Sequence, residues 1–160
     1  MATGTSEQNV GRALSSYGNL STDEKLAFLW YVYTKMGTTV TPAAPGTAAD
    51  EIVEGLYNQV KDLSHEEQLD IQRKIIESQD NMISREYGSL SQNSKLDFWY
   101  RLAQGMETGT IVPMPDNYQA SGSTTELLSQ IEAMEFNQQI TFLRDAVVGA
   151  GADPKSGSDI

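Results

Sequence analysis

Lys95-Leu96-Asp97-Phe98-Trp99-Tyr100-Arg101-Leu102 is introduced by Tyr87-Gly88-Ser89-Leu90-Ser91 and closed by Ile111-Val112-Pro113-Met114-Pro115. This segment sets the architecture, because the chain contains it twice. Seventy positions earlier the order is Tyr17-Gly18-Asn19-Leu20-Ser21, then Lys25-Leu26-Ala27-Phe28-Leu29-Trp30-Tyr31, then Val40-Thr41-Pro42. Both tryptophans and most of the aromatic residues lie in these two copies. A chain that duplicates its aromatic helix is expected to set the copies facing each other.

Working outward, the apolar periodicity is helical nearly throughout. Ser21 with Glu24 three residues on has the form of a capping box, so the first long helix is expected to start there and to end near Gly37. Leu26, Leu29, Trp30 and Tyr33 follow the i, i+3, i+4, i+7 pattern, while Phe28, Tyr31 and Val32 fall on its other side. A helix apolar almost all round is central to a fold. Prolines from Pro42 to Pro45 stop it. Ile52, Val53, Leu56, Tyr57 and Val60 mark an outer helix, and Ser64 with Glu67 opens another that carries Leu69, Ile71, Ile75 and Ile76.

The second half repeats the order. Leu56, Val60 and Leu63 correspond to Leu127, Ile131 and Met134, and Gln68 to Arg73 corresponds to Gln139 to Arg144. The offset grows from seventy to seventy-one in the turn after the aromatic helix, where an inserted residue is tolerated. Two repeats are too few for a solenoid. The expectation is an all-α domain with a pseudo-two-fold internal repeat over residues 10–150, flanked by flexible ends at 1–9 and 151–160.

Composition narrows the function classes. The chain has 160 residues, 39% hydrophobic and 21% charged, which suits one globular domain. No apolar run is long enough to span a bilayer, and the first residues lack the pattern of a signal peptide. The absence of cysteine excludes disulfides, thiolate-bound metal and thiol catalysis, and is compatible with a cytoplasmic address. A net charge of −11 disfavours nucleic acid and anionic membrane surfaces. It serves solubility or steering toward a basic partner.

Enzymatic constellations are missing. His65 is the only histidine and sits at a helix start beside Glu66 and Glu67, where carboxylates complement the helix dipole. There is no phosphate-binding glycine loop and no nucleophile elbow. The remaining signal is the aromatic stripe itself: Leu96, Trp99, Tyr100, Ala103 and Met106 share one helical face. Such a stripe is either core or the wall of a ligand site. Tryptophan and tyrosine carry polar tips that require partners when buried, so a plain core is more simply built from leucine and phenylalanine.

At this point a family becomes recognisable. Leu26 to Gly46, with Trp30, Tyr33, Met36-Gly37 and Ala43-Ala44-Pro45-Gly46, resembles the N-terminal domain of the cyanobacterial orange carotenoid protein. So do Lys95 to Tyr118, with Phe98-Trp99-Tyr100, Met106, Pro113-Met114-Pro115 and Tyr118, and the later Gln138-Gln139-Ile140-Thr141 with Leu143-Arg144. The resemblance covers about residues 10 to 150 and implies a free-standing paralogue of that domain, a helical carotenoid protein. Its fold would be two interleaved helical bundles with a ketocarotenoid (canthaxanthin, echinenone or 3'-hydroxyechinenone) threaded between them.

Carried over position by position, the tunnel would be lined by Leu26, Trp30, Tyr33, Val40, Leu63, Leu96, Trp99, Tyr100, Met106, Met114 and Tyr118. Arg144 matches an arginine of the two-domain relatives that contacts their second domain and matters for docking to the phycobilisome, and without that domain it is expected to be exposed. The reading from the residues alone is an ordinary surface ion pair with Asp145 or a neighbouring carboxylate. Gln72 and Arg73 depart from the family pattern, which places a methionine and a small residue near the pigment; this implies a rotated helix or a tunnel open to water.

The function implied is photoprotection by a monomeric, non-enzymatic pigment protein, in the cytoplasm or at the thylakoid through the phycobilisome. Quenching of singlet oxygen is favoured; quenching of phycobilisome fluorescence and carriage of carotenoid to a separate C-terminal-domain-like partner are the alternatives. An unpigmented helical adaptor is the reading from a different class.

Overall fold

The start of the first aromatic helix forms as its sequence predicts. The Ser21 hydroxyl accepts from the Glu24 amide at 3.2 Å, and the Glu24 carboxylate accepts from the Ser21 amide at 2.8 Å. Two of the amides that a helix start leaves without partners are thereby satisfied. Ser64 and Glu67 make the same reciprocal pair, both bonds at 3.1 Å. A computed structural model describes residues 6–36, 47–115 and 118–151. Over these the chain forms α1 (Ser6–Gly18), α2 (Thr22–Met36), α3 (Thr47–Lys61), α4 (His65–Ile76), α5 (Met82–Gly88), α6 (Gln92–Thr108), α7 (Gly122–Glu132) and α8 (Phe136–Val148). Among the described residues there is no strand, so the all-α expectation holds.

Two of these helices are absent from the periodicity reading. α1 begins within the segment read as a frayed end and carries Val10, Ala13, Leu14 and Tyr17 at helical spacing, a stripe weakened by the small Ala13. α5 has only 7 residues, too few for a period to show.

The repeat is now explicit: α1 to α4 correspond in order to α5 to α8. The two halves do not pack as halves. α1 and α2 pack with α7 and α8, whereas α5 and α6 pack with α3 and α4. Each bundle therefore takes two helices from each repeat, and the pseudo-two-fold exchanges the bundles. The bundles meet where α2 touches α6, with α4 against α2 and α8 against α6.

The cores repeat in detail. Tyr17 meets Phe28 edge-on, 5.7 Å between centroids at 60°, and seventy positions later Tyr87 meets Phe98 at 5.5 Å and 63°. Phe142 completes the first cluster, 5.9 Å from Phe28, and Trp99 the second, 5.6 Å from Phe98. Phe28, Phe98, Phe142 and Tyr87 are fully buried. Each such ring contributes roughly 1.5–3 kcal/mol by burial, and each edge-to-face pair about 0.5–1.5 kcal/mol more.

α2 divides its apolar residues between two jobs. Ala27, Phe28, Val32 and Met36 are buried in a bundle core, while Leu26, Leu29, Trp30 and Tyr33 are only half-buried. The i, i+3, i+4, i+7 stripe picked out in the sequence is thus not the core stripe of this helix.

Buried phenols make the fold sensitive to alkali. Burial pushes the Tyr17 phenol up and the Tyr87 phenol well up from the ordinary value. An unfolded tyrosine loses its proton near about pH 10, whereas the folded chain still holds it. The stability tied to these groups is therefore intact below about pH 10 and is lost as the pH rises toward their folded values. We expect tyrosinate absorbance and helical circular dichroism to change together in one cooperative alkaline step, with Tyr17→Phe moving its midpoint to higher pH. Full tyrosine ionisation with helicity intact would contradict the assignment.

Candidate functional site

Where the bundles meet, α2 and α6 present aromatic side chains that neither core consumes. Trp30 stacks on Tyr33 one turn along, 5.8 Å between centroids at 28°. Tyr33 then meets Tyr100 of α6 edge-on at 5.3 Å and 78°. All three are half-buried. The Tyr33 hydroxyl donates to Glu107 at 3.1 Å, and burial followed by this carboxylate raises its phenol. The polar tip thereby finds its partner at the exposed Glu107, while the rings are only half-covered by protein.

The other site candidates fall into three groups. Leu96 and Trp99 are buried on α6, at 8% and 6% exposure, and belong to the second core as much as to any wall. Leu26, Leu63 and Met106 are half-buried and pack on the core rim, and Met114 is half-buried beyond α6. Tyr118 is half-buried, and burial, followed by the nearby Tyr31, Glu24 and Asp23, raises its phenol. Val40 lies outside the described residues.

Two residues that the sequence reading passed over position this region. Gln68, 1% exposed, donates through Nε2 to the carbonyls of Lys61, Leu63 and Thr110 at 3.2–3.3 Å and accepts from the Val112 amide at 2.8 Å. It pins the chain leaving α6, the segment that leads to Met114. A polar residue inside an apolar helical stripe, repeated at Gln139, was the available signal; Gln139 likewise donates to the Ile131 carbonyl at 3.0 Å. Gly105 permits the same fold-back. A Cβ there would lie 2.5 Å from Ile111 Cγ1 and 2.6 Å from the Tyr57 hydroxyl.

That contact also corrects the place of Tyr57. Its helix α3 packs closely on α6, and Tyr57 shares a cleft of about 510 Å³ with Tyr100, Asp97 and Arg101. Tyr57 is therefore a neighbour of the site helix, not a residue remote from it. The reason is the interleaving, which seats α3 beside α6 of the other repeat.

Gln72 is buried at 5% exposure, and Arg73 turns out to Asp23 of α2, with bonds of 2.8 and 3.3 Å. This pair joins α4 to α2 across the bundle boundary; being exposed, it is worth under about 1 kcal/mol. Arg144 is half-buried and not open, because α8 packs against both α1 and α6. Its Nε is enclosed without an acceptor among the described residues. Asn93 of α6 likewise encloses an unpartnered Oδ1. Buried polar atoms without partners are rare in folded proteins and mark places where a partner is missing. Among the described residues no group of acidic or histidine side chains is arranged to hold a metal, and no helix is long and apolar enough to cross a membrane.

Comparison with known proteins decides the family. The sequence profile described as "Orange carotenoid protein, N-terminal" matches residues 3–153. The chain belongs to this family. An orange carotenoid-binding domain-containing protein of Nostoc is 43% identical over 145 residues, covering 91% of this chain and 85% of the relative. The orange carotenoid-binding protein of Synechocystis is 36% identical over 89% of the chain, which spans only 45% of that relative's length. Among solved structures, the Red Carotenoid Protein of Anabaena (Nostoc) binding canthaxanthin is 47% identical, with 90% of this chain and 99% of that chain covered and a TM-score of 0.80. The eight-helix fold is thus the family's fold, and the family is one of carotenoid-binding proteins.

The site's geometry depends on Gln68. We expect Gln68→Leu to leave the Val112 amide and the Thr110 carbonyl unpaired, and to lower stability by about 2–4 kcal/mol in urea denaturation. Amide exchange at Val112 should accelerate with it. An unchanged exchange rate there would show that Gln68 does not hold the segment.

Proposed function

We infer that the chain holds a ketocarotenoid along the surface between α2 and α6 and protects against singlet oxygen. The observation that carries this reading is the Trp30–Tyr33–Tyr100 series of ring contacts, half-buried at the bundle boundary in a fold whose relative is seen binding canthaxanthin. The dimensions suit a rod. α6 has 17 residues, and at about 1.5 Å each it runs roughly 25 Å. Leu26, Leu63, Leu96, Trp99, Met106, Met114, Tyr118 and Val40 are the further wall residues of this proposal. Leucine and methionine supply apolar contact without polar groups to desolvate, and methionine adapts to an irregular outline. A bound carotenoid supplies a low-lying excited state that accepts energy from excited oxygen and releases it as heat. The chain's own part is to bind the rod, to fix its shape between rigid helices and to keep water from its faces.

A second reading, docking to an antenna or to a carotenoid-carrying partner domain, is supported by one observation: the enclosed, unpartnered Arg144 Nε. Against antenna docking stands the net charge of −11, since like-charged surfaces repel.

One measurement tests the wall and a second separates the two roles. Tyr33→Ser and Trp99→Ser should each weaken carotenoid retention by about ten- to a hundredfold, the usual cost of removing an aromatic anchor. Met82→Ser, at a residue 71% exposed on α5, should leave it unchanged. Equal loss in all three would show the wall to be misplaced. For the role, the pigmented protein is expected to quench singlet oxygen equally well with Arg144 or with Arg144→Glu. Strong quenching of phycobilisome fluorescence by the unmutated protein, abolished by Arg144→Glu with the pigment spectrum unmoved, would establish the docking role instead.

A further inference from the structure

The Trp99 indole does not simply rest in the core. Its Nε1 donates to the Tyr87 hydroxyl at 2.8 Å, and that hydroxyl donates to the Val147 carbonyl at 2.6 Å. Tyr87 is fully buried, and its phenol is held well above the ordinary range by burial, so it keeps its proton to donate. Val147 belongs to the last turn of α8, whose carbonyls have no partner within the helix. Lys95 Nζ takes the neighbouring Val148 carbonyl at 3.1 Å, and the Ser78 hydroxyl takes that of Gly149 at 3.2 Å. Three side chains thus close the carboxyl end of α8, and of these only Tyr87 also holds an aromatic residue of the proposed wall.

The first repeat shows what the fold alone requires. Tyr17 packs on Phe28 as Tyr87 packs on Phe98, and Lys25 lies 5.4 Å over the Tyr17 ring as Lys95 lies 5.6 Å over that of Tyr87. The position equivalent to Trp99, however, is Leu29, which has nothing for a hydroxyl to hold. One bundle is therefore built on the same tyrosine, phenylalanine and lysine without any bond to an indole. The Tyr87–Trp99 bond is an addition to the shared scaffold, placed where the wall differs between repeats.

We propose that Tyr87 is a positioning residue of the carotenoid wall: its hydroxyl fixes the tilt of the Trp99 indole by anchoring it to the carboxyl end of α8. This deepens the carotenoid reading above and rests on it. Movement of the end of α8 is then transmitted to one side of the pigment through two hydrogen bonds.

Tyr87→Phe tests it, since the ring and its packing stay and only the hydroxyl goes. In protein loaded with canthaxanthin, Tyr87→Phe should shift the visible band and release pigment several-fold faster. Tyr17→Phe, at the matching helix position and also buried, should leave the band in place even if it costs comparable stability. With Trp99→Phe already present, Tyr87→Phe should move the band no further, because no indole N–H remains to be held. A band unmoved by Tyr87→Phe, or moved equally by Tyr17→Phe, overturns the inference. Should Tyr87→Phe not fold, hydrogen exchange of the indole protons in the unmutated protein decides. Trp99 should exchange at least about tenfold more slowly than Trp30, and equal rates overturn the inference. No pigment uptake by the unmutated protein sinks the carotenoid reading, whereas uptake with an unmoved band in Tyr87→Phe sinks only this inference.

Discussion

Everything in this fold leans on an edge-to-face contact made twice, Tyr17 with Phe28 and Tyr87 with Phe98. Helices of 7 to 17 residues are marginal on their own, so they form because their apolar faces find partners. In each bundle the tyrosine comes from the short leading helix and the phenylalanine from the aromatic helix of one repeat. The remaining cover comes from the last two helices of the other. A single repeat would expose the faces of α3 and α4 that belong against α5 and α6. The exchange makes the two halves one cooperative unit, and it places α2 and α6 side by side at the boundary.

That placement explains how one helix can be both core and wall of the candidate site. α2 buries Phe28 and Val32 on one side and leaves Trp30 and Tyr33 half-covered on another. α6 buries Phe98 and Leu102 in the equivalent positions and leaves Tyr100 and Met106 half-covered. The symmetry is then broken residue by residue. Leu29 answers to Trp99, Trp30 to Tyr100 and Tyr33 to Ala103. A ligand lying across the pseudo-two-fold would meet different chemistry at its two ends.

Charge is handled locally and does not build the site. Arg73, Lys74, Arg85 and Arg101 are each paired with an aspartate: Asp23 of α2, Asp70 one turn earlier in α4, Asp80 in the connection before α5, and Asp97 one turn earlier in α6. Arg101 and Asp97 are the least exposed of these, at 21% and 12%, and they border the cleft shared with Tyr57 and Tyr100. Arg144 stands apart, a cation whose Nε is enclosed without an acceptor. An unmatched buried donor costs free energy that a partner supplying an acceptor would recover.

By itself the sequence determined the helical class, the repeat and its offset, the capping boxes at Ser21 and Ser64, and the two helices that matter. Each of these depends on spacing along the chain, and spacing is what a sequence records. The duplicated aromatic pattern also carried the family. What only the tertiary structure decided is which neighbour each face meets. Phe28 and Trp30 are two residues apart and similarly apolar, yet one is sealed in a core and the other borders the site, because the partners that separate them arrive from the opposite repeat. The same exchange seats Tyr57 against α6, buries Gln68 and Gln72 inside apolar stripes, and half-covers Arg144. The bond from Trp99 through Tyr87 to Val147 spans sixty positions of chain from Tyr87 onward. No local period encodes it, since it exists only once α5, α6 and α8 converge on one buried hydroxyl.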